Sequence, residues 1–187
     1  MDKLPLAQRS TPRIHESNWV EVLPPAQRFV LRGAAQVMAA AGGALGLDIS
    51  QAACRAAVSE RRAALWLGPD EQLILADEHD EAVATALQSA LRELPHSLVD
   101  VSHRQRALRV SGAAATALLS VGCPLDLDLS AFPVGMCTRT VCAKAEIVLW
   151  RTGPAAFHLE VWRSFAAYVS GFLAEAAREL VISGEQS

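Results

Sequence analysis

The chain repeats itself, and this internal repeat limits the folds that it can adopt. Residues 29–35, FVLRGAA, are matched by residues 108–114, LRVSGAA, and both apolar runs end at a glycine before an alanine-rich stretch. Residues 63–75 are matched by residues 146–161, each segment with a tryptophan shortly before a Gly-Pro turn. Five matched features follow one another in the same order, and such a repeat predicts two related halves.

Each half is predicted to run strand, helix, strand, strand, helix. The two strands in the middle form a hairpin, because apolar runs flank the turn residues PDE or TGP. The closing helices carry apolar residues at spacings of three and four. These stripes consist of Val83, Leu87, Ala90, Leu91 and Leu94, and of Val169, Phe172, Leu173, Ala176 and Leu180. Hairpins followed by helices predict an α+β fold, with helices on one face of antiparallel sheets.

The repeat also predicts the domain boundaries. Residues 1–27 form an N-terminal extended arm, residues 28–97 a first α+β lobe, residues 98–182 a second α+β lobe, and residues 183–187 a C-terminal tail. Four prolines and mixed charges exclude a continuous helix in the arm. Two interpretations stay open: a floppy tail, or an arm that orders against another chain through the apolar patch WVEVLPP.

Composition and charge exclude several classes of function. The chain is 51% hydrophobic and 20% charged, as a globular protein is, and its formal net charge is −3. Interspersed charges of both signs give no basic patch for nucleic acid or for an anionic membrane surface. No apolar run approaches the roughly 20 residues that a membrane span needs, and the N-terminus lacks a secretory signal. We therefore expect a cytoplasmic protein with reduced cysteines.

Cysteines and histidines in the second half raise the question of a metal or thiol site. The residues concerned are Cys123, Cys137, Cys142, His103 and His158, while Cys54 lies far upstream. Structural zinc sites bring their ligands in close pairs two to four residues apart, and the gaps here do not match. A nucleophilic cysteine needs a base and an orienting group that this spacing does not supply. We interpret the cysteines as small buried hydrophobic residues.

Three further groups of residues are weighed as sites. Asp100, Ser102 and His103 stand close together, but in an extended chain the histidine points away, so capping or edge-strand contacts explain them better than a catalytic triad. A second group consists of Arg139 with Thr138, Thr140 and Lys144. It could bind an anion, but a polar strand face or a subunit contact explains it better. The aromatic group comprises Trp150, Phe157, Trp162, Phe165 and Tyr168. It would stack a planar ligand, or fill a core or a partner interface.

Motifs for common cofactors are missing. Neither G-x-G-x-x-G after a strand nor G-x-x-x-x-G-K-[ST] occurs. The glycines of GGALG, residues 42–46, instead predict a helix end with Gly46 in a left-handed cap. We assign no catalytic, cofactor-binding or metal-binding residue to this chain.

Several segments carry a specific resemblance to a known family. They are FVLRGAA, LWLGPDEQLILA, VDVSHRQRALRVSG, GCPLDLDLSAFPVGMCTRT, KAEIVLWRTG and FHLEVWRSFAAYV. Together they resemble the gamma subunit of bacterial heterotetrameric sarcosine oxidase over roughly residues 28–181. The phrases G-C-P-L-D-L and F-P-V-G-M-C-T-R-T are the most distinctive.

The resemblance implies a role in a flavoenzyme complex. Enzymes of this kind oxidise sarcosine to glycine with oxygen, release hydrogen peroxide, and form methylenetetrahydrofolate when tetrahydrofolate is present. The resemblance implies alpha, beta and delta subunits as partners. It places FAD and covalent FMN with beta, NAD and the folate region with alpha, and zinc in delta. The gamma subunit has no assigned catalytic residue, so this chain is expected to be a noncatalytic assembly subunit.

The family's fold is also similar to part of the folate-binding aminomethyltransferases and to the folate domain of a tRNA-modifying GTPase. That arrangement of two related α+β lobes agrees with the repeat. An alternative function follows from it, a small-molecule module that retains a folate or flavin pocket between its two lobes. A fold alone does not transfer a binding site.

Overall fold

The structure, a computed structural model, describes residues 19–50 and 52–184, and the side chains as far as residue 180. Ten strands and four helices lie in this part of the chain: β1 Val20–Val22, β2 Ala26–Gly33, α1 Ala35–Leu45, β3 Ala56–Val58, β4 Arg62–Gly68, β5 Glu71–Asp77, α2 Ala82–Leu91, β6 His96–Asp100, β7 Gln105–Ser111, α3 Ala115–Ser120, β8 Cys137–Cys142, β9 Ala145–Gly153, β10 Ala156–Trp162 and α4 Arg163–Gly184.

The described residues divide into two compact units. The first comprises residues 25–103 and 135–138, and the second residues 19–24, 104–134 and 139–184. The first unit contains a five-stranded antiparallel sheet in the order β3-β4-β5-β2-β6. One face of this sheet, with Phe29, Leu31 and Ile74, packs in a single apolar cluster with the buried residues of α1 and α2.

The second unit contains a sheet in the order β1-β7-β10-β9-β8. Cross-strand partners share a face of a sheet, so the two faces can be assigned from the register. One face is apolar, with Leu108, Leu159 and Leu149 opposite one another and all buried. The helix α4 contributes Val169 and Leu173, both fully buried. The other face of the sheet carries polar side chains.

The predicted pattern is present in both units, and the α+β fold class is confirmed. The hairpins are β4–β5 and β9–β10, and α2 and α4 close the two halves. Gly46 ends α1 with φ 68°, and its N–H donates to the carbonyls of Gly42 and Gly43, which confirms the predicted left-handed cap. In the predicted stripe of α2, Val83, Leu87 and Leu91 are fully buried.

Some features differ from the sequence prediction. Ala90 is exposed, because it lies on the edge of the α2 stripe away from the core. Each half also has a strand before its hairpin, β3 or β8, and the first unit gains β6 at its edge. The part of the predicted arm that the structure describes includes β1, which pairs with β7 of the same chain. Residues 1–18 and 185–187 lie outside the described residues.

In the part of the chain that the structure describes, no helix combines the length and apolar character that crossing a bilayer requires.

Candidate functional site

The three cysteines of the second half are buried. Cys123, Cys137 and Cys142 all lie in the core, and none of them forms a disulfide. Burial raises the pKa of the Cys137 thiol to about 12 and that of the Cys142 thiol to about 11. These groups are therefore thiols rather than nucleophilic thiolates near neutral pH. Among the described residues, no three His, Cys, Asp or Glu side chains come together as a metal ion would require.

Asp100 and Ser102 form a local turn that supports the sheet of the first unit. Asp100 Oδ1 accepts hydrogen bonds from the Ser102 backbone N–H at 2.8 Å and from its hydroxyl at 2.6 Å. In a third hydrogen bond, the Ser102 Oγ accepts from the Arg28 backbone N–H at 3.0 Å. His103 is exposed in the turn that follows. The pair thus satisfies backbone groups beside β2 and β6, as the capping interpretation requires.

The other two candidate groups do not form single sites. Arg139 is exposed in β8, between the half-buried Thr138 and Thr140, and Lys144 is exposed in the turn after this strand. The aromatic group divides in two. Trp150 and Phe157 belong to the core of the second unit, whereas Trp162, Phe165 and Tyr168 are exposed.

The polar face of the second sheet carries a row of side chains that sequence reasoning did not identify. Glu21 of β1 lies directly opposite Arg109 of β7, and Arg109 lies opposite His158 of β10. His158 in turn lies opposite Trp150 of β9. We call these four residues the polar row. It crosses four adjacent strands and is built from three segments that are distant in the sequence.

His158 of the polar row forms a buried pair with the carboxylate of Glu160. His158 Nε2 lies 2.8 Å from Glu160 Oε1, two residues along β10 on the same face. An ionised carboxylate only accepts hydrogen bonds, so a pair of this kind needs the ring N–H on Nε2. The Trp150 and His158 ring centroids are 5.6 Å apart, with the ring planes tilted by 52°. Burial raises the pKa of Glu21, and the charge of Arg109 partly opposes that shift.

Unsatisfied hydrogen-bonding atoms concentrate on this face. In the described part of the chain, five buried side-chain atoms make no hydrogen bond: Glu21 Oε1, Gln105 Oε1, Arg109 Nε, Trp150 Nε1 and His158 Nδ1. Four belong to the polar row, and Gln105 lies on the same face because it pairs with Trp162 on β10. Buried polar atoms normally have partners, so this concentration is unusual. The row offers donors and acceptors for polar binding.

One signal in the sequence points to part of the row. In the strand FHLEVW, strict alternation places His158 and Glu160 on one face and Phe157, Leu159 and Val161 on the other, and the register puts His158 opposite Arg109. No local signal brings Glu21 or Arg109 to them, because their pairing depends on the register of strands far apart in the chain.

Arg151 holds the distinctive loop between α3 and β8. Its Nη1 donates to the carbonyls of Leu127 at 2.8 Å and Phe132 at 2.9 Å, and its Nη2 donates to the carbonyl of Pro154. The guanidinium also lies 4.8 Å from the centre of the Phe157 ring. Burial lowers the pKa of Arg151 from its ordinary value. This segment therefore owes its arrangement to a buried arginine that serves packing.

An exposed row of aromatic rings marks the beginning of α4. Trp162, Phe165 and Tyr168 are spaced by three residues, and 46%, 43% and 42% of their surfaces are exposed. We call these three residues the aromatic ridge. The guanidinium carbon of Arg104 lies 5.6 Å from the centre of the Trp162 ring. Among the described Phe, Trp and Tyr side chains, these three are the exposed ones.

Comparisons with known sequences identify close relatives. The model of the sarcosine oxidase, gamma subunit family matches residues 32–179. The sarcosine oxidase subunit gamma of Corynebacterium sp. (strain P-1) is 38% identical over 120 residues, which cover 64% of this chain and 59% of the relative. The corresponding subunit of Arthrobacter sp. is 35% identical over 142 residues, 75% of this chain and 70% of the relative. The chain thus spans less than two thirds of the Corynebacterium relative.

Comparisons with solved structures agree on the fold. A chain of the heterotetrameric sarcosine oxidase from Corynebacterium sp. U-96 matches with a TM-score of 0.81 and 31% identity, covering 86% of this chain and 83% of that one. The aminomethyltransferase T of the glycine cleavage system from Bartonella henselae matches with a TM-score of 0.63 and 11% identity, over 82% of this chain and 44% of that one. The second likeness concerns the fold alone.

Proposed function

This chain belongs to the sarcosine oxidase gamma subunit family, and we propose that it is the noncatalytic gamma subunit of a heterotetrameric sarcosine oxidase. In this role it supports assembly of the flavoenzyme that oxidises sarcosine to glycine with oxygen. The products then include hydrogen peroxide, and methylenetetrahydrofolate when tetrahydrofolate is present. We place the complex in the cytoplasm.

One observation carries the proposal: the family match extends over residues 32–179, and so includes nearly all described elements of both units. The structural likeness to a chain of a heterotetrameric sarcosine oxidase supports it, because it covers 86% of this chain at 31% identity. Relatives matched over both sequence and fold at this level share their architecture, and an assembly role is the function that such an architecture best supports.

The chemistry of the described side chains supports a noncatalytic role. Cys137 and Cys142 are held as thiols by their raised pKa values. The Asp100 carboxylate and the Ser102 hydroxyl are engaged in a turn. Arg151 is engaged with backbone carbonyls. Groups that would otherwise suggest catalysis are thus used to hold the fold.

In the proposed complex, the cofactors bind to the other subunits. The beta subunit binds FAD and covalent FMN, the alpha subunit binds NAD and tetrahydrofolate, and the delta subunit binds zinc. The alpha, beta and delta subunits are the partners of this chain, and it holds no cofactor itself.

Co-expression tests the proposal. The alpha, beta and delta subunits are produced with and without this chain, and the complexes are compared by size-exclusion chromatography, flavin absorbance and sarcosine-dependent oxygen uptake. We expect omission of this chain to prevent a stable complex or to reduce its flavin content. A complex that assembles fully without it, retains both flavins and turns over normally contradicts the proposed function.

The polar row favours a second candidate, a module that binds a folate or a flavin. Its buried donors and acceptors would suit a polar heterocyclic ligand, and Trp150 provides a fluorescent reporter. The purified chain is examined by absorption spectroscopy and titrated with tetrahydrofolate. Flavin absorbance, or saturable quenching of tryptophan fluorescence by tetrahydrofolate, supports the module. A colourless chain whose fluorescence does not respond to tetrahydrofolate supports the assembly subunit.

A further inference from the structure

We propose that the aromatic ridge at the junction of β10 and α4, together with Arg104 and Arg163, is the surface on which a partner subunit docks, and that this partner presents apolar side chains flanked by carboxylates. The inference rests on the proposed function, because it assigns a surface and a partner chemistry to the assembly role.

The ridge is exposed on a helix that is otherwise firmly packed. Phe165 and Tyr168 are neighbours on the surface of α4, because residues three apart in a helix lie side by side. Phe165 borders the buried stripe of α4, since Val169, one turn further along, and Leu173 are fully buried. The Arg163 backbone N–H donates to the Arg104 carbonyl at 2.8 Å, which ties the beginning of α4 to the beginning of β7. The rings are therefore held in place before any partner binds.

The residue types of this surface are those that contribute most to protein association. Tryptophan, tyrosine, phenylalanine and arginine are enriched in interfaces, and tryptophan, tyrosine and arginine dominate their hot spots. A run of three exposed aromatic side chains, with an arginine over the first, has this composition.

The charge around the ridge determines which partner fits. Arg104 and Arg163 are both exposed, and neither forms an ion pair with any described residue. The first turn of α4 contains no acidic residue, and the N-terminal end of a helix carries partial positive charge. Two turns further along, Glu175 and Arg178 pair with each other. Positive charge therefore collects at the Trp162 end of the ridge, in a chain whose formal net charge is −3.

A partner that presents carboxylates beside apolar side chains complements both properties of this surface. Its apolar groups cover the three rings, and its carboxylates meet the guanidinium groups of Arg104 and Arg163. A second copy of this chain fits less well. It would bring the same positive charges to the ridge without a carboxylate placed to meet them.

The experiment uses the co-expressed four-subunit complex. The ridge variant combines Phe165→Ser and Tyr168→Ser, and the charge variant is Arg163→Glu. Two exposed positions of the first unit supply the matched controls: Val99→Ser in β6 and Arg92→Glu at the end of α2. Association is measured on complexes co-expressed with each variant, as the amount of this chain that co-purifies with the other three subunits at low and at high salt.

We expect the ridge variant to weaken association by about 30-fold or more, as truncation of an interface hot spot does. The charge variant should weaken it most at low salt, because salt screens the lost attraction. Tyr168→Phe and Arg163→Lys should retain association, since they keep the ring and the charge. Both control variants should bind as the wild-type chain does. Thermal melts of every variant check that the chain is folded.

Three results would overturn the inference. The first is a folded ridge variant that binds the other subunits as tightly as the wild-type chain. The second is a wild-type chain that is dimeric alone and becomes monomeric with the ridge substitutions, which would assign the ridge to a second copy. The third is a wild-type chain that does not bind the other subunits at all, and this result would contradict the proposed function as well.

Discussion

Arg62 binds both carboxylate oxygens of Asp80. Its Nε lies 2.7 Å from Oδ2, and its Nη2 lies 3.2 Å from Oδ1. The remaining Nη1 donates to the carbonyls of Ala44 and Leu45 at 3.2 Å. One side chain of β4 thereby joins the last turn of α1 to the turn that precedes α2. A cavity of about 330 Å³ is open beside this pair. The charged side chains of Arg62 and Asp80 that line it are already bonded to each other.

The substitution Asp80→Asn should destabilise the protein by about 2 kcal/mol, because it leaves the charge of Arg62 without its carboxylate partner. The free energy of unfolding is measured by urea denaturation. Glu93→Gln is the matched control, since Glu93 is highly exposed and lies 3.8 Å from Arg92. An exposed pair of this kind contributes little, so the control should change stability by less than about 0.5 kcal/mol. Equal effects of both substitutions would contradict the structural role of Arg62.

The same pair predicts a pH dependence. The hydrogen bond from Arg62 lowers the pKa of the Asp80 carboxyl below its ordinary value. Stability from a lowered carboxyl pKa is present above the unfolded-state value of about 4 and is lost as pH falls through the folded-state value. The stability difference between wild type and Asp80→Asn should therefore be constant from about pH 5 to about pH 7. It should shrink below about pH 4. A difference that grows on acidification would exclude this assignment.

Two glycines of the first unit should respond oppositely to alanine. At Gly33 a Cβ would lie 2.6 Å from the Val37 side chain, whereas at Gly43 it would meet nothing within 4 Å. Gly33→Ala should destabilise by about 2 kcal/mol through overpacking, and Gly33→Val by more. Gly43→Ala should stabilise α1 by about 1 kcal/mol, because alanine has the higher helix propensity. Thermal and urea denaturation measure both, and effects of the same sign would refute the close approach of β2 to α1.

Gly112 in the second half should also resist substitution. Its φ of +110° is a conformation that side chains disfavour, and a Cβ would lie 3.1 Å from Trp19 Cδ1. We expect Gly112→Val to lower the melting temperature. An unchanged melt would show that the strand β7 does not turn at this residue.

The loop between α3 and β8 should depend on Arg151. Arg151→Met removes the donors for the carbonyls of Leu127 and Phe132, and should cost about 3 kcal/mol because two buried acceptors lose their partners. Lys144→Met, in the exposed turn after β8, is the control. Limited proteolysis should then cut within residues 123–136 in the first variant and not in the second. Equal protection of the loop in both would contradict the role of Arg151.

The cysteines should differ in their reactivity. Cys54 is half-buried, whereas Cys123, Cys137 and Cys142 are buried. Because the thiolate is the reactive form, the raised pKa values of Cys137 and Cys142 should suppress alkylation by iodoacetamide at pH 8. Mass spectrometry should find Cys54 modified first in the folded protein and all four after unfolding in urea. Modification of Cys137 as fast as Cys54 would contradict its burial.

The two hairpins and the closing helices could be predicted because their signals are local. Gly-Pro and Pro-Asp turns separate the apolar runs of β4–β5 and β9–β10, and a stripe at helical spacing identifies α2 and α4. β6 was missed because it is an edge strand in which no residue is fully buried, so its side chains do not alternate. β1 was missed because three residues carry too little periodicity, and its pairing partner β7 lies far along the chain.

By itself, the sequence determined the internal repeat, the α+β class and the resemblance to a family, because each of these is written in local patterns and their order. Only the tertiary structure decided which distant side chains meet. It placed Glu21 opposite Arg109 and His158, and it divided the aromatic residues between the core and the exposed ridge. The physical reason is that local periodicity specifies which face a side chain occupies, whereas strand partners and register come from long-range packing.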